Sequence, residues 1–402
     1  MSETLTQAAM IARAEALAPT VRAEAEAAEK RGYYSEALHA QFRDAGFYRI
    51  FVPKRYGGLE FDFPTYYRVM LTIATADPGI GWCLALGSSH ALHVGSYFPP
   101  SAQEKIFGPT RDFIAPGSIP ARGKPQCVAT PDGDGYRIRG KWPYASGSPY
   151  STHLLGGAHI EGAPDQRLMI VVAREQYEVL DDWGAILGLK GSGSNSIVVK
   201  DGWIPRDCAL PMSEFQPSGT DTPGWRLHGN SLYAGQFMGY AGGSLACSQV
   251  GAAKAAMAEY ERIIRGSRAH YGPDLPKIEH PDFQRVFGLG MSMTLSAEML
   301  LMQTGQLYME YAKGEVSGDR FTMLKANQML GIHHQIIRLA WEAGLEFFRA
   351  ASSSNAVDGQ PMQRFFRDLA TFKNNATHQA DFFAPEIAKS YFGLGGDSPV
   401  AS

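Results

Sequence analysis

Three regimes of hydrophobic patterning divide the chain. Up to about residue 110, apolar positions recur at helical spacing. Ala and Glu dominate as far as Lys30, with one interruption at Pro19. Gly32, the Gly57–Gly58 pair and the run Asp77–Pro78–Gly79 punctuate the helices that follow. Residues 112–210 change character. Short β-branched and aromatic runs (QCVAT at 126–130, YRIRGKW at 136–142, RLMIVVA at 167–173, SIVVKDGWIP at 196–205) are separated by turn residues such as Asp132–Gly133–Asp134–Gly135. Tyr136, Ile138 and Trp142 share one face by period 2. With no helix between the strands, a small antiparallel barrel fits better than a parallel Rossmann sheet. From residue 225 to 392 the helical period returns.

In this last third, Leu324, Gln328, Ile332, Ile336, Leu339 and Ala343 form one stripe. Residues 286–302 (VFGLGMSMTLSAEMLLM) are apolar nearly all round, which predicts a helix buried in a bundle or between subunits. Gly239, Ala241, Gly242, Gly243, Ala246 and Gly251 let helices approach closely. The final helical stretch carries Arg367, Thr371, Asn374 and His378 at i, i+4, i+7, i+11, opposite Phe365, Leu369, Phe372, Ala376, Phe383 and Ile387. A polar, titratable stripe on so apolar a helix faces either water or a working cavity. The predicted fold is mostly α with a central β-barrel: an N-terminal helical domain (1–111), a middle antiparallel β domain (112–224) and a C-terminal four-helix bundle (225–402).

Composition narrows the function. At 402 residues and 45% hydrophobic, the chain is long enough for two or three domains sharing a core. A formal charge of −3 gives no basic field for nucleic acid. Cys83, Cys127, Cys208 and Cys247 lack metal-ligand spacing and read as reduced residues of a cytoplasmic protein. The N-terminal segment is neither a signal peptide nor a membrane anchor. Gly188–Leu189–Lys190–Gly191–Ser192–Gly193 is no dinucleotide fingerprint, because strand pattern follows it. A Walker lysine loop, HExxH and GxSxG are missing. His333 and His334 point about 100° apart on a helix and read as an interface or packing pair, so no metal is expected.

The local strings, in this order, resemble those of the acyl-CoA dehydrogenase superfamily, specifically its branch of two-component flavin-dependent monooxygenases. Phe51–Val52–Pro53 with Tyr56–Gly57–Gly58 resembles the family's FVPxxYGG string. Gly140–Lys141–Trp142 with Ser146–Gly147 resembles its GxWxxxSG strand. The run Leu187 to Ser194, ending at Ile204–Pro205, resembles the second barrel motif. Arg364, Arg367–Asp368 and His378 resemble the C-terminal motif of the monooxygenase branch. A dehydrogenase needs a carboxylate base to remove an α-proton. The stretch FKNNATHQ (372–379) holds no acid, and the alternative position on an earlier helix carries Gln236. Asp381 is the nearest remaining acid.

The resemblance also assigns roles. It puts the Ser146 hydroxyl beside the reactive flavin nitrogen N5, with Gly147 next to it. Trp142 and Tyr144 either cover the ring face or fill the barrel core. Ser192 and Ser194 are donors to phosphate or ribityl oxygens. Arg268, in Arg268–Ala269–His270–Tyr271–Gly272, matches an RxxFG string whose arginine would pair with the flavin phosphate. Ser352, Ser353 and Ser354 stand where dehydrogenases place a glycine-rich loop touching a neighbouring subunit's FAD. One of His90 and His93 enters the pocket, with Asn374 and Asn375 as further pocket candidates. His378 is the candidate base for a phenol or ring N–H, or the donor that stabilises the hydroperoxide. The implied activity is hydroxylation of an aromatic or heteroaromatic small molecule through C4a-hydroperoxyflavin, using reduced flavin (FMN or FAD) and O₂. An NAD(P)H-dependent flavin reductase would be the partner and a homotetramer the assembly. Oxidation of nitrogen or sulfur, or a flavin dehydrogenase reaction, are the alternatives.

Overall fold

The computed structural model describes residues 5–108, 112–118, 127–215, 219, 221–375 and 380–394. Six helices come first: α1 (Gln7–Arg31), α2 (Glu36–Ala45), α3 (Phe63–Ala76), α4 (Pro78–Ser89), α5 (Ala91–Tyr97) and α6 (Pro100–Phe107). Side chains that accept first-turn amides set several starts. Thr6 takes the N–H of Ala9, Ser35 that of Leu38, Asp62 that of Thr65 and Asp77 that of Ile80. α1 runs unbroken through Pro19, where an interruption was expected. The ring sits at an exposed position, where water can replace the lost backbone bond, while Met10, Ala14, Val21, Ala25 and Ala28 pack inward.

Eight strands follow: β1 (Gly117–Ser118), β2 (Cys127–Asp132), β3 (Gly135–Trp142), β4 (His153–Ile160), β5 (Ala163–Ala173), β6 (Glu178–Val179), β7 (Ile197–Pro205) and β8 (Ala209–Pro211). Their order is β6-β7-β3-β2-β4-β5-β8, with β1 beside β4. The β2–β3 hairpin turns at the predicted Asp132–Gly135. Two features correct the antiparallel barrel. β4 pairs in parallel with both β1 and β2. Among the described residues the end strands β6 and β8 do not pair with each other, so the sheet stays open. Those strands have only two and three residues, too short to close a barrel.

The last third contains α7 (Pro223–His228), α8 (Gly243–Arg265), α9 (Pro281–Ser317), α10 (Met323–Ala350), α11 (Pro361–Lys373) and α12 (Ala380–Phe392). Helices α8 to α11 form the bundle, and α8 also packs on α3 and α4. A Cβ on Gly251 would lie 2.6 Å from Ala74 of α3, so a small residue is required there. One apolar cluster runs through all three segments; a second, around Tyr260, Phe347 and Phe365, fills the far end of the bundle.

Two helical expectations need correction. The inward face of α10 is Ala326, Met329, His333, Ile336, Ala340, Ala343 and Phe347, and Gln328 is exposed. The polar stripe from Arg367 to His378 does not lie on one helix. α11 ends at Lys373, with Asn374 as its C-terminal cap. His378 and Ala376 lie outside the described residues.

Candidate active site

The predicted serines meet in one buried hydrogen-bonded chain. The Ser146 hydroxyl bonds that of Ser194 at 2.7 Å, and Ser194 bonds Ser192 at 2.7 Å. At the other end Trp82, on α4, donates its indole N–H to Ser146 at 2.9 Å. Sequence reasoning missed Trp82. The available signal was an indole within an apolar helix, whose N–H needs a partner once buried. Ser146 stands on the turn after β3; Ser192 and Ser194 stand on the loop before β7. Gly147 (φ +86°) ties the turns together by donating its N–H to the carbonyls of Ser192 and Gly193.

This chain opens on a cavity of about 230 Å³ lined by Pro143, Tyr144, Asp182, Trp183, Ile186 and Ser194, among others. Tyr144 is 69% exposed and meets Trp183 edge-on. Trp183 also escaped the sequence analysis. Asp182 is committed elsewhere: it accepts the Ser196 amide at 2.8 Å and pairs with Lys141 at 3.1 Å. Trp142 belongs to the domain core, not to this cavity. Its ring is fully buried, and its N–H donates to the Gly157 carbonyl at 3.0 Å. Aromatic walls with buried hydroxyls suit a flat, polar-edged ring system. Pockets for whole ligands of cofactor size run to roughly 300–1,000 Å³, so this cavity suits the ring portion of a flavin and leaves the remainder to other groups.

His90 and His93 lie together, with ring centroids 5.0 Å apart. His90 follows Gly87 by one turn, and Gly147 lies against Gly87 and the Cys83 carbonyl. Its Nδ1 is 2.7 Å from the Ala115 carbonyl, which fixes Nδ1 as the protonated nitrogen of the neutral ring. His93 turns toward the bundle and packs on Phe237 and Tyr240. Burial pushes both histidines below the usual range, His93 furthest because His90 stands beside it. Both are therefore neutral bases near pH 7.

The remaining candidates lie elsewhere. Asn374 is exposed and donates back to Ala370 of its own helix at 3.1 Å, which removes it from a pocket. Asn375 is half-buried just beyond α11, its amide on the Phe372 carbonyl. Gln236 is buried, and Asp381 is exposed on α12. Arg367 is half-buried and engaged rather than open to a cavity. It pairs with Glu29 of α1 at 2.5 Å and donates to the Leu187 carbonyl at 2.7 Å.

Arg268 is exposed and paired with Asp274 on the loop after α8. That loop lies about 20 Å along α8 from Gly251, taking 1.5 Å per residue. Gly251 touches Ala74, as does Gly81 beside Trp82. In one chain, then, Arg268 is remote from the serine chain. Ser353 is exposed on the loop after α10, at the same far end of the bundle. Its neighbour Ser352 adopts φ +76° and ψ 158°, a region that belongs almost wholly to glycine.

Residues 4–108 match the family described as acyl-CoA dehydrogenase, N-terminal domain, and residues 244–380 that described as acyl-CoA dehydrogenase, C-terminal domain. The chain is 26% identical over 390 residues to the flavin-dependent monooxygenase oxygenase subunit HsaA of Rhodococcus jostii (strain RHA1), covering 95% of this chain and 97% of that one. It is 25% identical over 403 residues to the FADH(2)-dependent resorcinol hydroxylase, oxygenase component, of Rhizobium sp. (strain MTP-10005), covering 96% and 94%. The structure of XiaF from Streptomyces sp., in complex with FADH2 and glycerol, superposes with a TM-score of 0.88 at 21% identity, covering 98% of this chain and 97% of that one.

Proposed function

Since the chain belongs to the acyl-CoA dehydrogenase superfamily, in its branch of flavin-dependent oxygenase components, we propose that it hydroxylates an aromatic or heteroaromatic small molecule with O₂ and reduced flavin from a separate NAD(P)H-dependent reductase. The observation that carries this reading is the buried chain Trp82–Ser146–Ser194–Ser192 beside an aromatic-walled cavity whose one lining carboxylate, Asp182, is already engaged. Bound reduced flavin supplies the oxygen activation. The protein's part is to hold the ring edge, exclude water and handle the substrate proton.

Each residue then has a task. Ser146, its hydroxyl oriented by Trp82 and Ser194, presents one polar contact to the ring edge. Tyr144 and Trp183 shield the ring from bulk water. His378 is the substrate base, supported by the absence of any acid in residues 372–379. His90, neutral and fixed by Ala115, is the second proton-handling group. Arg268 and Ser353 serve a second copy of the chain, since both lie at the far end of the bundle. Leu289, Leu295 and Met299 of α9 leave an apolar face open in the single chain, and so do Phe382, Tyr391 and Phe392 of α12. A homotetramer that buries these faces brings Arg268 to a neighbour's flavin. Four buried, unpaired cysteines suit the reducing cytoplasm, and no helix among the described residues is long and apolar enough to cross a membrane.

The test is an anaerobic titration with reduced and oxidised FMN and FAD, followed by mixing with ¹⁸O₂ and a panel of phenols and indoles. Tight binding of reduced flavin, weak binding of oxidised flavin and one labelled oxygen in the product are expected. Protein that retains stoichiometric oxidised FAD through dialysis and oxidises an acyl thioester would overturn the reading.

A further inference from the structure

Helix α11 grips both ends of the serine chain. Near its middle, the Asp368 carboxylate accepts the backbone N–H of Leu189 at 2.5 Å. Leu189 is a non-glycine residue in the left-handed region (φ +53°), and its carbonyl accepts the Ser192 N–H at 3.1 Å. One turn further along α11, Phe372 packs edge-on against Trp82 with centroids 5.3 Å apart. Trp82 in turn holds Ser146. A closed circuit results: Asp368, Leu189, Ser192, Ser194, Ser146, Trp82, Phe372 and back along one helical turn. The contact is tight. A Cβ on Gly188 would fall 2.2 Å from the Arg367 carbonyl, so the loop lies directly on α11.

We propose that Asp368 is a positioning residue for the flavin site: through the Leu189 amide it fixes where Ser192 and Ser194 stand relative to Ser146. The assignment rests on the flavin reading given above. Asp368 touches neither the cavity nor its lining residues, so it acts through the loop. A backbone amide held in a left-handed turn by a buried carboxylate gains a charge-assisted bond, and a carboxylate there is sensitive to protonation. The charged groups around it are Asp77 from α4, Glu29 from α1, Lys190 from the loop, and Arg364 and Arg367 from α11 itself. Burial first, and the neighbouring Asp77 next, push Asp368 up to about 7. Below neutrality the carboxyl takes a proton and its hold on Leu189 weakens.

Hydrogen–deuterium exchange of flavin-free protein, corrected for intrinsic rates, reads the loop directly. Asp368→Ala is expected to raise exchange across 187–194 and to weaken reduced-FMN binding about tenfold. Asp368→Asn, which keeps an acceptor but carries no charge, is expected to give at pH 8 the lower protection and weaker affinity that wild type shows at pH 6. Wild-type protection should fall between pH 8 and pH 6, and Asp368→Asn should flatten that profile. Wild-type protection in Asp368→Ala overturns the proposal. If Asp368→Ala does not fold, equal pH profiles in wild type and Asp368→Asn overturn it. Ser194→Ala separates the two ideas. If Ser194→Ala weakens reduced-FMN binding while a loosened loop in Asp368→Ala does not, positioning is wrong and the flavin site stands. If neither variant alters affinity, the flavin reading falls and this proposal falls with it.

Discussion

Tyr144 and Trp183 meet edge to face, with ring centroids 5.9 Å apart and planes at 80°, where both line the cavity beside Ser194. An aromatic pair of this kind contributes about 0.5–1.5 kcal/mol beyond area burial. A flavin ring packed on Trp183 would gain a similar amount, so Trp183→Ala should weaken reduced-flavin affinity by about two- to thirteenfold. Anaerobic fluorescence titration measures it, and unchanged affinity would remove Trp183 from the site.

Ser146→Ala leaves the buried Trp82 N–H without its acceptor. The expected destabilisation is about 1–3 kcal/mol, the usual cost of an unsatisfied buried donor, read by urea denaturation. The variant should also release more peroxide per NAD(P)H consumed. Full stability would show that the Trp82–Ser146 bond carries no weight.

Arg268 separates stability from binding. Its pair with Asp274 is exposed, so Arg268→Ala should change stability by less than about 1 kcal/mol. Reduced-flavin affinity should fall by about 1.5–3 kcal/mol, the worth of a hydrogen bond to a charged group. Equal affinity in variant and wild type would put the phosphate site elsewhere.

His378→Ala should still bind reduced flavin and consume O₂. Product formation should slow by about 10²–10⁴, the range for a lost general base, with the reducing equivalents appearing as hydrogen peroxide. Single-turnover measurement of product and peroxide together decides it. Wild-type coupling in the variant would leave His90 as the base.

Two buried histidines set an acid limit on the fold. Burial lowers His153 to about 4 and His333 to about 3. Both are neutral when folded, so the unfolded chain takes up protons that the folded one refuses as pH falls below 6.5. Their contribution is complete above that value and is lost as pH drops through 6.5 toward 4, at about 1.4 kcal/mol per pH unit for each. His333→Gln should shallow the acid limb of stability against pH; an identical limb would show that His333 is charged in the native state.

Local chemistry made much of this legible. The Asp77–Pro78–Gly79 run located one helix boundary, and the Asp132–Gly135 turn located a hairpin. Ser146, Ser192 and Ser194 were singled out because their short strings resemble motifs of the family, and the structure joins them in one hydrogen-bonded chain. Long-range relationships were not. Trp82 and Ser146 are 64 positions apart, and Asp368 and Leu189 are 179 apart, so no spacing rule could join them. The end of α11 at Lys373 was hidden because no glycine or proline marks it. The inward face of α10 misled the hydrophobic pattern because it includes Asn327, His333 and His334, polar residues that an apolar stripe sends outside. Closure of the sheet depended on two terminal strands too short to show a period.

The separation of Arg268 from the serine chain along α8 has a consequence for how this protein meets its cofactor. On the proposed roles, each chain carries the ring-holding part of a site near one end of α8 and the phosphate-holding part about 20 Å along that helix, near its other end. With those roles, a flavin takes its ring contacts from one copy and its phosphate contact from another. Occupancy then becomes a collective property, rising with the concentration of the protein as well as of the ligand, and a dilute preparation will look like a weak binder without a single contact having changed.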